Sequence, residues 1–435
     1  MIRATLIAGL LLSTAPAAQE LRADSADRAV MYLFDSSLPG SELDAEWLEL
    51  ALADLGVAAL PALVSALEDG SYQRDSLFHG VTTQRLTREQ RKAALHSVVR
   101  MPRRAVRTFL EQTLMVGSTS GERQIALEIA GAMGTAQELL LVASLASPPA
   151  GTENVDLAIQ RAAQQAFGQI FERDRKAILE ARDLFGRVHA YVRAPLVRSV
   201  PKAEMADAMA ALGRMLGHFD EVDGLVLLEL DKLSRRPGAT ADELLFDSVR
   251  PFLDSTDTQL VQLAVPVVAN LRDAGAVAQL VQLLGQSEDG LNQRVHLALR
   301  QITGLTLKND TRVWETWLRG EEDWLRNDAH EAFQALTDSD PGRVAWGLLE
   351  VGKHRLHHEV LTDHLLPVLA RPEPELVGMA AATLGRLQSH QAVPYLLDRL
   401  SSHDQIVREA CGAALCLITG KELPSDPAAW VGVGH

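Results

Sequence analysis

The chain is poor in the residues that staple, pair or stack. It has 2 cysteines in 435 residues. Both, Cys411 and Cys416, fall in one predicted helix, on different sides of it, so they cannot readily pair with each other. A disulfide framework is thereby excluded. The apolar fraction of 47 % is ample for a core that needs no such staples. Aromatics are only 5 %, and runs of alternating β-branched residues are nearly absent, which argues against a sheet protein. No stretch reaches ~18 unbroken apolar residues, so no membrane-spanning helix is expected in the mature chain. Positive charge is also short: 42 Lys and Arg stand against 57 Asp and Glu, a formal net charge of -15. A surface of that sign repels phosphate backbones, and nucleic acid is not expected as a partner.

Signatures of chemistry are missing as well. No G-x-G-x-x-G opens a helix after a strand, and no Gly-Lys-Ser or Gly-Lys-Thr phosphate loop is present. Gly117-Ser118-Thr119-Ser120-Gly121 has the outline of a nucleophile elbow, but its central residue is Thr and no strand precedes it, so it reads as a turn. No catalytic residue and no cofactor are expected.

What is abundant is Ala and Leu, which favour helix because they lose little side-chain entropy there. The first twenty residues, MIRATLIAGLLLSTAPAAQE, carry one positive charge at Arg3, an apolar run from Ala4 to Leu12 and small residues around Ala15-Pro16-Ala17-Ala18. That is the layout of a secretory signal peptide over 1–18, with the cut near Ala17 or Ala18. The remainder, 19–435, is then expected to act in the periplasm or outside the cell.

Two distant segments align without a gap at a constant offset, the separation of Trp314 from Trp430. Leu260 matches Leu376, Leu271 matches Leu387, and Ala276-Val277 matches Ala392-Val393. Leu284 matches Leu400, Ile302-Thr303-Gly304 matches Ile418-Thr419-Gly420, and Asp310 matches Asp426. Ungapped agreement over such a length marks an internal duplication, clearest over 257–318 and 373–434. In the second copy apolar residues recur at helical steps (Val393, Leu396, Leu397, Leu400), a polar turn follows at Ser401 to Asp404, and a further helix runs through Val407, Cys411, Ala414, Leu415 and Ile418. Gly420 stands where a left-handed helix end is needed. Asp426 can cap the next turn, with Pro427 at its first position. Weaker repetitions of the pattern fill the rest of the chain. One helix pair cannot bury both its faces, so the units are expected to stack into an all-α solenoid of antiparallel helix pairs.

This pattern resembles HEAT-type repeats. Pro394 sits inside the first helix of its unit, as does Pro61, and Asp404 followed by Val407-Arg408 looks like the family's Asp…Val-Arg turn, whose charged residues tend to form a ladder between neighbouring units. The upstream copy departs from the motif, with Asp289 and Arg294 at another spacing and Ala278 in place of Pro394. The resemblance implies a scaffold with a protein-binding surface and no catalysis. Two alternatives stand beside it: an enzyme with a lyase-like or metal-dependent site on the concave face, and a structural envelope component.

Four features are candidates for function. His354 and His358, in a cluster with His357, His364, Glu359 and Asp363, would share a helical face and could hold a metal if one helix covers both. A basic stretch, Arg85, Arg88, Arg91, Lys92, Arg100, Arg103, Arg104 and Arg107, could dock an acidic partner, though no aromatics interleave with it for base stacking. Of the tryptophans concentrated in the C-terminal third, Trp324, beside Glu321-Glu322-Asp323, is expected to touch a partner. Asn309-Asp310-Thr311 fits the N-glycosylation acceptor pattern but overlaps a capping turn. The expected partner is a protein or peptide.

Overall fold

A computed structural model describes residues 26–35, 42–76, 80–114, 118–148, 156–286 and 289–430. The leader at 1–18 lies outside the described residues. The chain divides into two compact units, Met1–Glu229 and Leu230–His435.

In the first unit the helices are α1 (26–35), α2 (Glu42–Asp54), α3 (Leu60–Asp69), α4 (Arg88–Arg100), α5 (Arg103–Leu114), α6 (Ser120–Met133), α7 (Leu139–Ala146), α8 (Leu157–Arg173), α9 (Arg175–Phe185), α10 (Ala190–Ser199) and α11 (Met205–Met215). Helix α12 (Asp220–Ser234) carries the division. Alternate helices lie side by side: α2 on α4, α4 on α6, α6 on α8, α8 on α10. The helices between them form a second layer, with α7 packed on α9 and α9 on α11. This is the packing of stacked helical hairpins, each burying the face its neighbour cannot cover alone. One antiparallel hairpin, β1 (Ser71–Ser76) and β2 (Gly80–Arg85), interrupts the helices, with Ser71 opposite Arg85. Sequence reading did not foresee it. Its second strand, GVTTQR, carries the β-branched residues that a strand favours, in a run too short to stand out.

Local chemistry places the helix starts. The Thr at 119, within the segment that resembled a nucleophile elbow, is a helix cap. Its Oγ1 accepts from Glu122 N at 3.0 Å, while Glu122 Oε2 accepts from Thr119 N at 2.8 Å. This is a capping box that opens α6.

The second unit contains α13 (Glu243–Val249), α14 (Thr258–Asn270), α15 (Val277–Gln286), α16 (Asp289–Thr303), α17 (Thr311–Asn327), α18 (Ala329–Leu336), α19 (Pro341–Val351), α20 (His358–Leu365), α21 (Pro374–Leu387), α22 (Val393–Arg399) and α23 (Gln405–Thr419). The duplication is repeated in space: α14, α15 and α16 of one copy correspond to α21, α22 and α23 of the other. Gly304 and Gly420 close the third helix of each copy in the left-handed region, both at φ 68°. Trp314 and Trp430 are both buried. Asp310 caps Arg312 N at 2.9 Å, and Asp426 caps Ala428 N at 3.0 Å. α19 lies on α21 and α21 on α23. A Cβ on Gly378 would meet Ala410 and Ile406, and one on Gly385 would meet Ala414 and Leu417, so α21 and α23 run parallel. Alternate helices of stacked hairpins are parallel in an α-solenoid, which is the fold class of both units.

Two details of the expected motif differ. Pro394 and Pro61 do sit inside α22 and α3, but as the second residue of each, in the first turn, where the missing N–H has no partner to lose. Pro195 and Pro266 lie further into their helices. Asp404 caps its own helix, accepting from Ile406 N at 2.8 Å. Arg408 donates to Ser402 O and His403 O of the adjoining turn, at 2.8 and 2.9 Å, rather than to a neighbouring unit.

Candidate functional site

The histidine cluster does not form one face. α20 begins at His358, and His354 lies in the turn before it, because residues 352–357 leave the helical path after α19. His354 instead stacks on Trp324, with ring centroids 3.6 Å apart, and its Nδ1 lies 3.1 Å from Glu321 Oε1. The other oxygen of Glu321 accepts from Arg355 N and Leu356 N at 3.2 and 3.4 Å. This buried carboxylate therefore clamps the whole turn. His364 stacks on Phe333, with centroids 3.8 Å apart. Among the described residues no group of three or more His, Cys, Asp or Glu could hold a metal ion.

Trp324 is 6 % exposed and belongs to the core, which corrects its assignment as a partner-contact residue. An amphipathic helix turns it inward, together with the buried Glu321, to face Phe333 and His354, while Glu322 and Asp323 stay exposed. The exposed tryptophans are Trp47 and Trp346. The basic stretch is largely consumed internally: Arg100 pairs with Glu49, and Arg107 Nε donates to Glu111 at 2.8 Å. Arg91 pairs with Glu128 at 2.7 Å, and Arg103 Nη2 donates to Met133 O at 2.8 Å, at the carbonyl end of α6. Arg104 remains exposed. The stretch is spread over β2, α4 and α5. Cys411 and Cys416 are both free thiols, and burial pushes the Cys411 thiol up to about 11.

The site that emerges shares His358, Glu359 and Asp363 with the histidine cluster but is built around arginines. In the second unit a cavity of about 390 Å³ opens among the ends of α14, α16 and α21 and the start of α20. Arg272, Arg355 and Arg386 line it, with His358, His390, Thr362, Gln388 and the carboxylates Glu359 and Asp363. Arg272 and Gln388 have φ of 57° and 51° and are the only non-glycine residues with positive φ among those described. They occupy the same position in the two copies of the duplication. Each follows a helix whose end is closed by the same pair of bonds: Arg272 N to Ala269 O with Asp273 N to Val268 O, and Gln388 N to Gly385 O with Ser389 N to Leu384 O. This is a Schellman ending, in which glycine is the cheapest residue at the left-handed position.

Arg272 is half-buried, and its pKa is pushed down by desolvation first and then by the positive charge of Arg355. No carboxylate offsets it. Arg355 rests over the end of α16, so close that a Cβ on Gly304 would lie 2.8 Å from its Nη1. Arg386 donates to Thr383 Oγ1 at 3.2 Å and reaches over Gly352. Asp363 is already engaged by Gln391 Nε2 at 2.9 Å, and Glu359 is exposed. His358 is held below the ordinary histidine range by desolvation, with Arg272 contributing in the same direction against Glu359. The Thr362 hydroxyl is buried and has no hydrogen-bond partner. In sequence, the cluster of His358, Glu359 and Asp363 pointed to this place, while its arginines carried no signal.

A second feature adjoins the cavity. Side by side, α19, α21 and α23 turn apolar residues outward. Trp346 and Leu349 on α19 are 42 % and 61 % exposed, and Ile406 and Leu417 on α23 are 53 % and 54 % exposed. Between them lies α21, whose Gly378 and Gly385 let it pack closely on α23 and whose Ala382 is exposed. Exposed apolar side chains thus stand on the helices either side of α21, along a strip here called the trough, and Arg386, which also lines the cavity, follows Gly385 on α21.

Residues 329–416, which include most of this trough, match the family model for HEAT repeats. No curated protein sequence matches the chain. Among solved structures, the chain is similar to one in a complex in which Kap95p binding induces the switch loops of RanGDP to adopt the GTP-bound conformation. Identity there is 12 % and the TM-score 0.31, over 95 % of this chain and 57 % of that one. The chain thus spans somewhat over half the length of that neighbour.

Proposed function

We propose that the chain is a non-enzymatic protein-binding scaffold that acts outside the cytoplasm. The observation that carries the binding role is the trough across α19, α21 and α23. Large apolar side chains grouped on neighbouring helices are costly to leave in water, and grouped patches of this kind mark interaction sites where scattered ones do not. The repeat character of residues 329–416 supports the same reading. No single helix among the described residues is long and apolar enough to cross a membrane. The case for export rests on the leader sequence alone.

The test is a quantitative binding comparison with partners captured from the native compartment. A partner of the trough binds the wild type saturably, loses at least about tenfold in affinity to Leu349→Glu, and is unaffected by Trp47→Ala in the first unit. Retention of every partner by Leu349→Glu sinks the proposal. For export, mass spectrometry of the secreted fraction should find a mature chain that begins after Ala17 or Ala18. An intact Met1 start in a purely cytoplasmic pool contradicts it.

A further inference from the structure

Three arginines converge on one cavity in a protein whose formal net charge is -15. Elsewhere the chain spends its arginines on carboxylates or carbonyls, as with Arg91, Arg100, Arg103 and Arg250. Here Arg272 is half-buried, disfavoured by desolvation first and then by the like charge of Arg355. A guanidinium cannot shed its proton at ordinary pH, so it cannot relieve that repulsion by neutralising. It also stands where the backbone favours glycine, as the chain itself shows at Gly70, Gly134, Gly304 and Gly420. Placing a side chain at such a position carries a backbone penalty. The Arg272 guanidinium is thus held in the cavity against both electrostatic and conformational cost. Beside it, the buried Thr362 hydroxyl lacks a partner, which is unusual for a polar group in a folded interior.

We propose that this cavity binds a phosphate-class dianion through Arg272, Arg355 and Arg386, with the Thr362 hydroxyl as a further donor. A carboxylate has two oxygens and one charge, which one bidentate guanidinium can satisfy. Three guanidinium groups, two from loops and one from the last turn of α21, exceed that. They match a tetrahedral group with three or four acceptor oxygens and a charge near −2. Glu359 and Asp363 line the same cavity and keep their charges, but both are exposed to solvent, which screens them, and neither pairs with an arginine of the site. The dianion supplies the counter-charge that Arg272 lacks and the acceptor that Thr362 lacks. The volume leaves room for what the phosphoryl group is attached to. The inference is independent of the trough and holds whether or not a protein docks there.

Calorimetric titration of the full chain with inorganic phosphate, glucose 6-phosphate, phosphoserine and acetate tests it. Saturable binding of at least one phosphate probe is expected, with acetate about tenfold weaker or more. The tightest of the three identifies whether the group arrives free, on a sugar or on a protein side chain. Arg272→Gly should weaken binding at least about tenfold. Its thermal midpoint should be unchanged or raised, because glycine suits that backbone. Gln388→Gly should relieve the equivalent turn and keep most of the binding. Thr362→Val should also weaken binding while the unliganded protein stays folded, and it serves if Arg272→Gly fails to fold. No binding of any phosphate probe, equal binding of acetate, or wild-type affinity in Arg272→Gly or Thr362→Val overturns the proposal.

Discussion

Residues 258–314 and 374–430 are two renderings of one design, and they differ where helices end rather than where they pack. Both use the same three helices, the same closing glycine at φ 68° and a buried tryptophan as the fourth residue of the helical element that follows. At the first helix end, however, one copy carries Arg272-Asp273 and the other Gln388-Ser389. Asp273 is 1 % exposed and takes a bidentate pair from Arg250, with Nε to Oδ2 at 2.8 Å and Nη2 to Oδ1 at 2.6 Å. In the second copy, the residue equivalent to Arg250 is Leu366. The backbone of the turn is therefore fixed by helix-terminus hydrogen bonding, and the side chains on it are free to diverge. One copy uses that freedom for an internal ion pair, and both use it to face the cavity.

The tryptophans should show the largest effect. Trp314→Ala removes a fully buried ring and should destabilise the second unit by about 4 kcal/mol in urea unfolding. Trp430→Ala loses a comparable ring and also the Nε1 bond to Pro424 O at 2.8 Å. A Trp430→Ala cost well under half that of Trp314→Ala would break the equivalence of the copies. Next comes the ion pair. Arg250→Met strands a buried carboxylate and should cost about 3 kcal/mol, whereas Leu366→Met in the other copy should cost under about 1.5 kcal/mol. Adding Asp273→Ser to Arg250→Met restores the chemistry of the second copy and should recover most of the loss. Failure to recover would mean that Asp273 is needed for its cap of Gly275 N at 2.9 Å rather than for its charge.

Smaller effects sharpen the picture. Arg272→Gly and Gln388→Gly should each leave stability unchanged or raise it by up to about 1 kcal/mol, since both relieve the same left-handed position. Acid should act through the histidines. His357 and His358 are held below the ordinary range by desolvation, and so is His390, whose counterpart in the first copy is Ala274. A depressed folded pKa means the unfolded chain takes up protons first as pH falls. Stability should be full above about pH 7 and decline below about pH 6.5, the unfolded histidine value. His358→Gln should flatten the decline measured by thermal midpoints at pH 7, 6 and 5.5. An unchanged slope would remove His358 from the explanation.

The fold was legible because helix periodicity and termini are written locally. Gly420, Asp404 and Asp426 each do in space what their neighbours in sequence imply. The site was far less legible. Trp324 sits among acids in sequence, but the helix turns it inward with Glu321, onto His354. His354 and His358 share a spacing but not a helix, because Glu321, remote in sequence, fixes the intervening turn. The basic stretch looked free because Glu49, Glu128 and Met133 O, which bind it, come from other helices. Arg272, Arg355 and Arg386 are unremarkable in sequence. They meet only because successive hairpins bring their turns to one place.

The central claim is that the conserved frame of the two copies carries the fold, while the varied residue on the left-handed turn carries recognition. Thermal unfolding of wild type, Arg272→Gly and Gln388→Gly, each with and without saturating inorganic phosphate, tests it most directly. Phosphate should raise the midpoint of the wild type and of Gln388→Gly and leave that of Arg272→Gly unmoved, with all three folded in its absence. Equal stabilisation of Arg272→Gly by phosphate would contradict the account.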